Sequence, residues 1–150
     1  MDISVNVGDW VVLGELSKSK GEIAKILSIG DGSIYSNYVG LIGTHALCHS
    51  FEECIDDILP LPLTEEMMEL NHWDMSTESD YRTQYEYYFN DFIINLRFSK
   101  IGNGIFLTIY DKGNAKVQMH IEYVSELQNA LRLCRLQQIA SNFKVTKHDN

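Results

Sequence analysis

The sequence predicts an α+β fold, in which a small N-terminal β unit is followed by an antiparallel β-meander packed by a C-terminal helix. Three observations carry that expectation. Short β-branched and aromatic runs, separated by Gly-containing turns at roughly ten-residue spacing, fill the first part of the chain. Residues 85–122 alternate apolar and polar side chains with period two, the mark of half-buried strands. Val124, Leu127, Leu131 and Cys134 then recur at helical spacing.

The elements follow in order. VGDWVVL (7–13), IAKILSI (23–29) and IYSNYVGLI (34–42) read as strands, divided by the turns SKSKGE (17–22) and GDGS (30–33). A last short strand over CIDDILPL (54–61) closes the set. Gly8-Asp9 before one strand and Gly21 opening the next suggest an SH3-like small β-barrel, a fold that hosts many functions and assigns none. LPLPLTEEMMEL (59–70) is the clearest boundary, because Pro60 and Pro62 force the residues before them into extended conformations. It divides the chain into units 1–63 and 64–150, or joins them in one compact domain. Thr64 is the expected N-cap of a short helix over about 65–72, with Leu63 and Met68 as its hydrophobic staple. HWDMSTESD (72–80) is polar and reads as a loop.

A meander of three or four strands follows, turned at Asn90-Asp91, Gly102-Asn103-Gly104 and Lys112-Gly113-Asn114. Ser125 with Gln128 three residues on has capping-box spacing, so the last helix is expected to start there. Its apolar stripe should cover the meander. The tail KVTKHDN is expected to fray.

Composition bounds the function. The chain has 150 residues, 45% hydrophobic and 22% charged, an ordinary composition for a globular protein with its own core. No apolar run is long enough to span a membrane, and the N-terminus lacks the basic and apolar regions of a signal peptide. The three cysteines, 48, 54 and 134, fit reduced thiols in a cytoplasm better than a disulfide framework. The net charge of −9 is uneven: residues 52–91 carry twelve acids and one base, whereas residues 92–150 carry four acids and eight bases. An acidic chain repels phosphate backbones, which disfavours nucleic acid as a partner of the whole.

The most chemical-looking stretch is THALCHSFEEC (44–54). His45, Cys48, His49 and Cys54 are all zinc-competent, but structural zinc sites pair two knuckles from separated segments, and here four ligands would come from one short stretch without glycines. The cysteines read more simply as small buried hydrophobes, and no metal is expected. His49 beside Cys48 is poor geometry for a catalytic dyad. No phosphate-binding glycine loop, dinucleotide fingerprint, nucleophile elbow, zincin or EF-hand motif occurs. The expectation is a protein that is not an enzyme and has no cofactor. Binding candidates are the aromatics Trp10, Tyr35 and Tyr38 of the first unit and the acids Glu52, Glu53, Asp56 and Asp57.

Two motifs resemble those of a family. LPLPLTEEMM resembles a P-I-P-L-T-E-E-x-L segment, and IEYVSELQNAL an I-x-Y-V-H-E-L-Q-N-L segment, of small uncharacterised proteins from Bacteroidetes and their phages and mobile elements. Gly8-Asp9 would occupy the Gly-containing β segment with which those proteins begin. The resemblance spans residues 7–137 and departs at Ser125, where the family carries His, and at His72-Trp73, where a Gly-Phe pair is common. It implies a bacterial or phage cytoplasmic protein and carries over no catalytic residue.

The function expected is a non-enzymatic interaction module that binds another protein, or itself, through the acidic 52–91 region or the solvent face of the meander. One alternative is a nucleic-acid-associated accessory factor, which requires Arg97, Lys100, Lys112 and Lys116 to share a face. Another is an acidic mimic that blocks a host nucleic-acid-binding protein.

Overall fold

The computed structural model describes residues 6–15, 21–29, 38–43, 50–54, 58–102 and 104–146; of residues 27–29, 38–43 and 50–54 it describes the backbone alone. The fold is α+β. The elements run β1 (Trp10–Leu13), β2 (Ile23–Ile29), β3 (Tyr38–Gly43), β4 (Ser50–Cys54), β5 (Ile58–Pro60), α1 (Glu66–Leu70), β6 (Asp74–Glu78), β7 (Arg82–Phe89), β8 (Phe92–Ser99), β9 (Ile105–Asp111), β10 (Asn114–Ile121), α2 (Val124–Leu133) and α3 (Gln137–Ser141). They form two antiparallel five-stranded sheets, ordered β4-β3-β2-β1-β5 and β10-β9-β8-β7-β6.

In the first sheet β1 serves two cores. Trp10 and Val12 turn toward the main core, while Val11 and Leu13 join Ala24, Ile26 and Ile58 in a small cluster on the other face. A strand buried on both faces reads as a continuous apolar run, which is what DWVVL shows. The single strand expected over 54–61 is instead two. Ser50–Cys54 pairs with β3, and Ile58–Pro60 pairs with β1. One straight segment cannot serve both ends of the strand order.

The second sheet is the expected meander with one strand more. Its inner face carries cross-strand rows such as Tyr85–Leu96–Leu107 and Tyr87–Ile94–Ile109. The β7–β8 and β9–β10 turns are two-residue loops, with Asn90 at φ 51° and Lys112-Gly113 at φ 51° and 83°. Positive φ at the first central residue, as at Asn90, or at both, as at Lys112-Gly113, marks the primed turns that match strand twist.

Over the inner face lie Met67 and Met68 of α1 and Val124, Leu127, Ala130 and Leu131 of α2. Leu127 and Leu131 are fully buried, and each contributes roughly 2 kcal/mol by leaving water.

Both helix starts differ from expectation. α1 begins at Glu66 without a side-chain cap, although Leu63 and Met68 are both buried as the staple requires. The N-cap of α2 is Tyr123, two residues before the expected Ser125. The Glu126 carboxylate accepts hydrogen bonds from the Glu122 and Tyr123 backbone N–H groups (2.9 and 3.1 Å). Burial of Val124 with Leu127 and Leu131 sets that phase, and Gln128 is drawn inside instead of capping. The tail is held further than expected: Val145 is buried and Lys144 N–H donates to Asn71 Oδ1 at 2.7 Å.

Polar ties lock β1 onto the helices. The Gln128 amide accepts from Trp10 N–H (3.2 Å) and donates to Gly8 O and Ala140 O (both 2.9 Å). Arg132 Nη1 donates to the buried Asp9 carboxylate at 2.6 Å. Gly8 has φ 93°, a conformation that favours glycine, and a Cβ there would lie 3.3 Å from Arg132 Nη2, which would have to shift by a few tenths of an ångström. Among the described residues no helix is long and apolar enough to cross a membrane.

Candidate interaction surface

The segment HWDMSTESD, expected to be a loop, supplies β6, the outermost strand of the second sheet. It pairs with β7 in the register Asp74↔Glu86, Met75↔Tyr85, Thr77↔Gln84 and Glu78↔Thr83, with a bulge between Met75 and Thr77. All five of its residues are exposed. No apolar face alternates along such a strand, so periodicity could not reveal it. The available signal was Ser79-Asp80, turn chemistry placed directly before a strong strand. Ser79 N–H donates to Arg82 O (2.9 Å), and Ser79 Oγ accepts from the Tyr81 and Arg82 N–H groups (both 3.2 Å), which closes the β6–β7 turn.

The surroundings of this edge are acidic. Asp74 and Glu78 lie on it, Asp80 follows it, and Glu86 stands opposite Asp74. Glu65, Glu69 and Glu78 all act on Tyr85, whose hydroxyl donates to Glu65 Oε1 at 3.2 Å. Burial first, and then these carboxylates, push the Tyr85 phenol up to about 12. Apolar surface is interleaved with the acids, for Met75, Tyr81 and Tyr88 are each more than half exposed.

The solvent face of the meander adjoins the edge. Glu86 accepts from Gln84 Nε2 (3.2 Å), Asn95 Nδ2 (3.3 Å) and the Tyr88 hydroxyl. Arg97 donates to Asn95 Oδ1 (3.3 Å) and lies 5.5 Å from the centre of the Phe106 ring, which meets His120 edge to face. Thr108, in the middle of this face, is fully buried, and its hydroxyl has no hydrogen-bond partner within the protein. The four basic residues named by the nucleic-acid alternative do not gather here. Lys100 follows β8 in the β8–β9 turn and pairs with Glu78 (3.1 Å), whereas Lys112 sits in the β9–β10 turn at the far end of the strands.

The residues singled out from the sequence fall elsewhere. Trp10, expected on an aromatic binding surface, is a core residue only 3% exposed, and its Nε1–H donates to Phe143 O at 2.8 Å. Its apolar ring is worth more between β1 and the helices than in water. Tyr38, Glu52, Glu53 and Cys54 lie in β3 and β4, where the backbone alone is described, while Tyr35, His45, Cys48, His49, Asp56 and Asp57 lie outside the described residues. Cys134 caps α2 beside an open groove of about 630 Å³ whose wall includes the exposed Leu133. Burial and the nearby Asp111 push its thiol above the usual range, with Lys116 opposing, which keeps it protonated and poorly nucleophilic near neutral pH.

No known protein family, no curated protein and no solved structure matches the chain.

Proposed function

We propose that this protein is a non-catalytic interaction module whose docking element is the free edge of β6, and that its partner is a basic segment that adds to the sheet in extended conformation. The observation that carries this reading is the position of β6: last in the strand order, exposed along its whole length and set among acids. An edge strand offers unpaired backbone N–H and C=O groups to another chain. Asp74 and Glu78 select what pairs, because a second copy of the same edge meets like charge, whereas Lys or Arg side chains of an incoming strand meet opposite charge. Met75, Tyr81 and Tyr88 supply apolar contact beside the charges.

The first sheet completes the proposal as an SH3-like barrel that buttresses the meander. Its order, a four-stranded meander with β5 returning beside β1, supports that reading. The motif resemblance supports a bacterial or phage cytoplasmic setting.

The test is a titration with an alternating Lys-Val peptide about eight residues long, enough to span the edge. Binding should weaken with salt, be lost with a Glu-Val peptide, and fall about tenfold or more in the double variant Asp74→Lys/Glu78→Lys. Equal binding of the acidic and basic peptides, or unchanged affinity in the double variant, would refute the proposal.

A further inference from the structure

A second feature has the character of a small-molecule site. Between the end of α1, β7 and α3 lies a pocket of about 280 Å³, near the lower bound of small-ligand cavities. Its walls are aromatic: Trp73, Tyr87, Phe89 and Phe143. Trp73 and Tyr87 stand with ring centres 5.6 Å apart, tilted by 36°. The polar residues His72, Gln138, Asn142 and Lys144 also line it. Among the described residues none of these four side chains makes a hydrogen bond or ion pair within the protein.

The frame is rigid. Asn71 Nδ2 donates to Met67 O and Lys144 O, and Asn71 Oδ1 accepts from Lys144 N–H, each at 2.7 Å. One side chain thus ties the C-terminal segment to α1. Trp10 fixes Phe143 from below through its 2.8 Å bond to Phe143 O, and Trp73 N–H closes the α1 turn on Met68 O at 2.9 Å. His72 is held at φ 60°, a conformation uncommon outside glycine, which swings the chain from α1 into Trp73.

The charge of the pocket runs against that of its region. Residues 52–91 are strongly acidic, yet no lining residue is an aspartate or glutamate, and the lining includes two basic residues, His72 and Lys144. Aromatic walls alone would also suit an organic cation. A basic rim without a carboxylate repels one and attracts an anion. Flat apolar walls, two free side-chain amides and a basic rim together define the complement.

We propose that this pocket binds a small planar aromatic or heteroaromatic anion. The ring packs against the half-buried Tyr87 and Phe89 beside the buried Trp73, Gln138 and Asn142 read its heteroatom edge, and Lys144 holds the anionic group.

The chain has two tryptophans, so a ¹⁵N-labelled sample gives two indole N–H signals, and Trp73 reports on the pocket. The full chain is titrated with adenosine monophosphate and with indole carboxylate, beside the neutral adenosine and indole and the cationic tryptamine. At least one anion should shift the Trp73 signal saturably. Its neutral counterpart should bind about tenfold more weakly, the loss of one charge-assisted hydrogen bond. Lys144→Glu should weaken the anion by at least as much, with the Trp10 signal left in place as evidence that the variant is folded. Saturation by adenosine monophosphate alone identifies a nucleotide-like ligand, and by indole carboxylate alone an aryl acid. A Trp73 signal unmoved by either anion at millimolar concentration overturns the proposal. So does neutral or cationic binding as tight as the anion's, or an affinity that Lys144→Glu leaves intact.

Discussion

Two side chains on the meander carry unusual environments that can be measured directly. Tyr85 is buried and donates to Glu65, and both features favour its neutral phenol, raising it from 10.0 to about 12. The unfolded chain ionises this tyrosine first, so its contribution to stability is complete below about pH 10 and is lost as pH rises toward 12. In a ring-carbon NMR titration, with Tyr85→Phe for assignment, one tyrosine should titrate near 12; Glu65→Gln should lower that value while burial keeps it above 10. A Tyr85 that titrates with the exposed tyrosines would contradict this environment. Thr108 is the converse case, a hydroxyl buried without a partner in a strand position that valine suits equally well. Thr108→Val should therefore stabilise the fold by about 1 kcal/mol, read as a raised urea midpoint at unchanged slope.

At the scale of elements, legibility followed burial. β7 to β9 could be read from the sequence because each buries one face and so alternates, and β10 because Val117, Met119 and Ile121 alternate even though only Ile121 is fully buried; their turns carry residues that tolerate positive φ. β6 could not, because an edge strand exposed on both faces writes no period into its residues; its pairing comes from the backbone of β7. That miss concealed the proposed docking element, while the aromatic most prominent in the sequence, Trp10, proved to be core. The α2 start was misplaced by two residues for a related reason. Ser125 and Gln128 have capping spacing, but Gln128 is spent on β1, where its amide satisfies Trp10 N–H, Gly8 O and Ala140 O. Gln128→Leu keeps the volume and strands those three groups, so chemical unfolding should show a loss of about 3 kcal/mol. A loss well under 1 kcal/mol would mean that the tie is not made in solution.

Across the whole molecule, the stretches that carry the family resemblance meet in space. Leu61 O accepts from Val124 N–H and Leu63 N–H donates to Glu122 O, both at 2.9 Å, with a Pro62–Tyr123 bridge between them. Gly8-Asp9 is bound by Gln128 and Arg132 from the other side of α2. These stretches build the joint between the first sheet and the meander, through backbone bonds at Leu61, Leu63 and Val124 and through the side chains of Gln128 and Arg132. Because Trp10 shares one core with all three helices and the second sheet, the described residues should unfold in a single transition, with tryptophan fluorescence and far-ultraviolet circular dichroism coinciding. Arg132→Ala should lower stability by about 3 kcal/mol, since it leaves the buried Asp9 carboxylate without its cation. The acid-flanked edge of β6 stands at the far side of the second sheet from β10, at the end of the strand order where a further strand can be added. Hydrogen exchange across the chain, with and without saturating Lys-Val peptide, measures that docking most directly. Strand addition predicts slowed exchange centred on Asp74–Glu78 and abolished by high salt, whereas unchanged exchange in β6, or protection that appears only elsewhere, would contradict it.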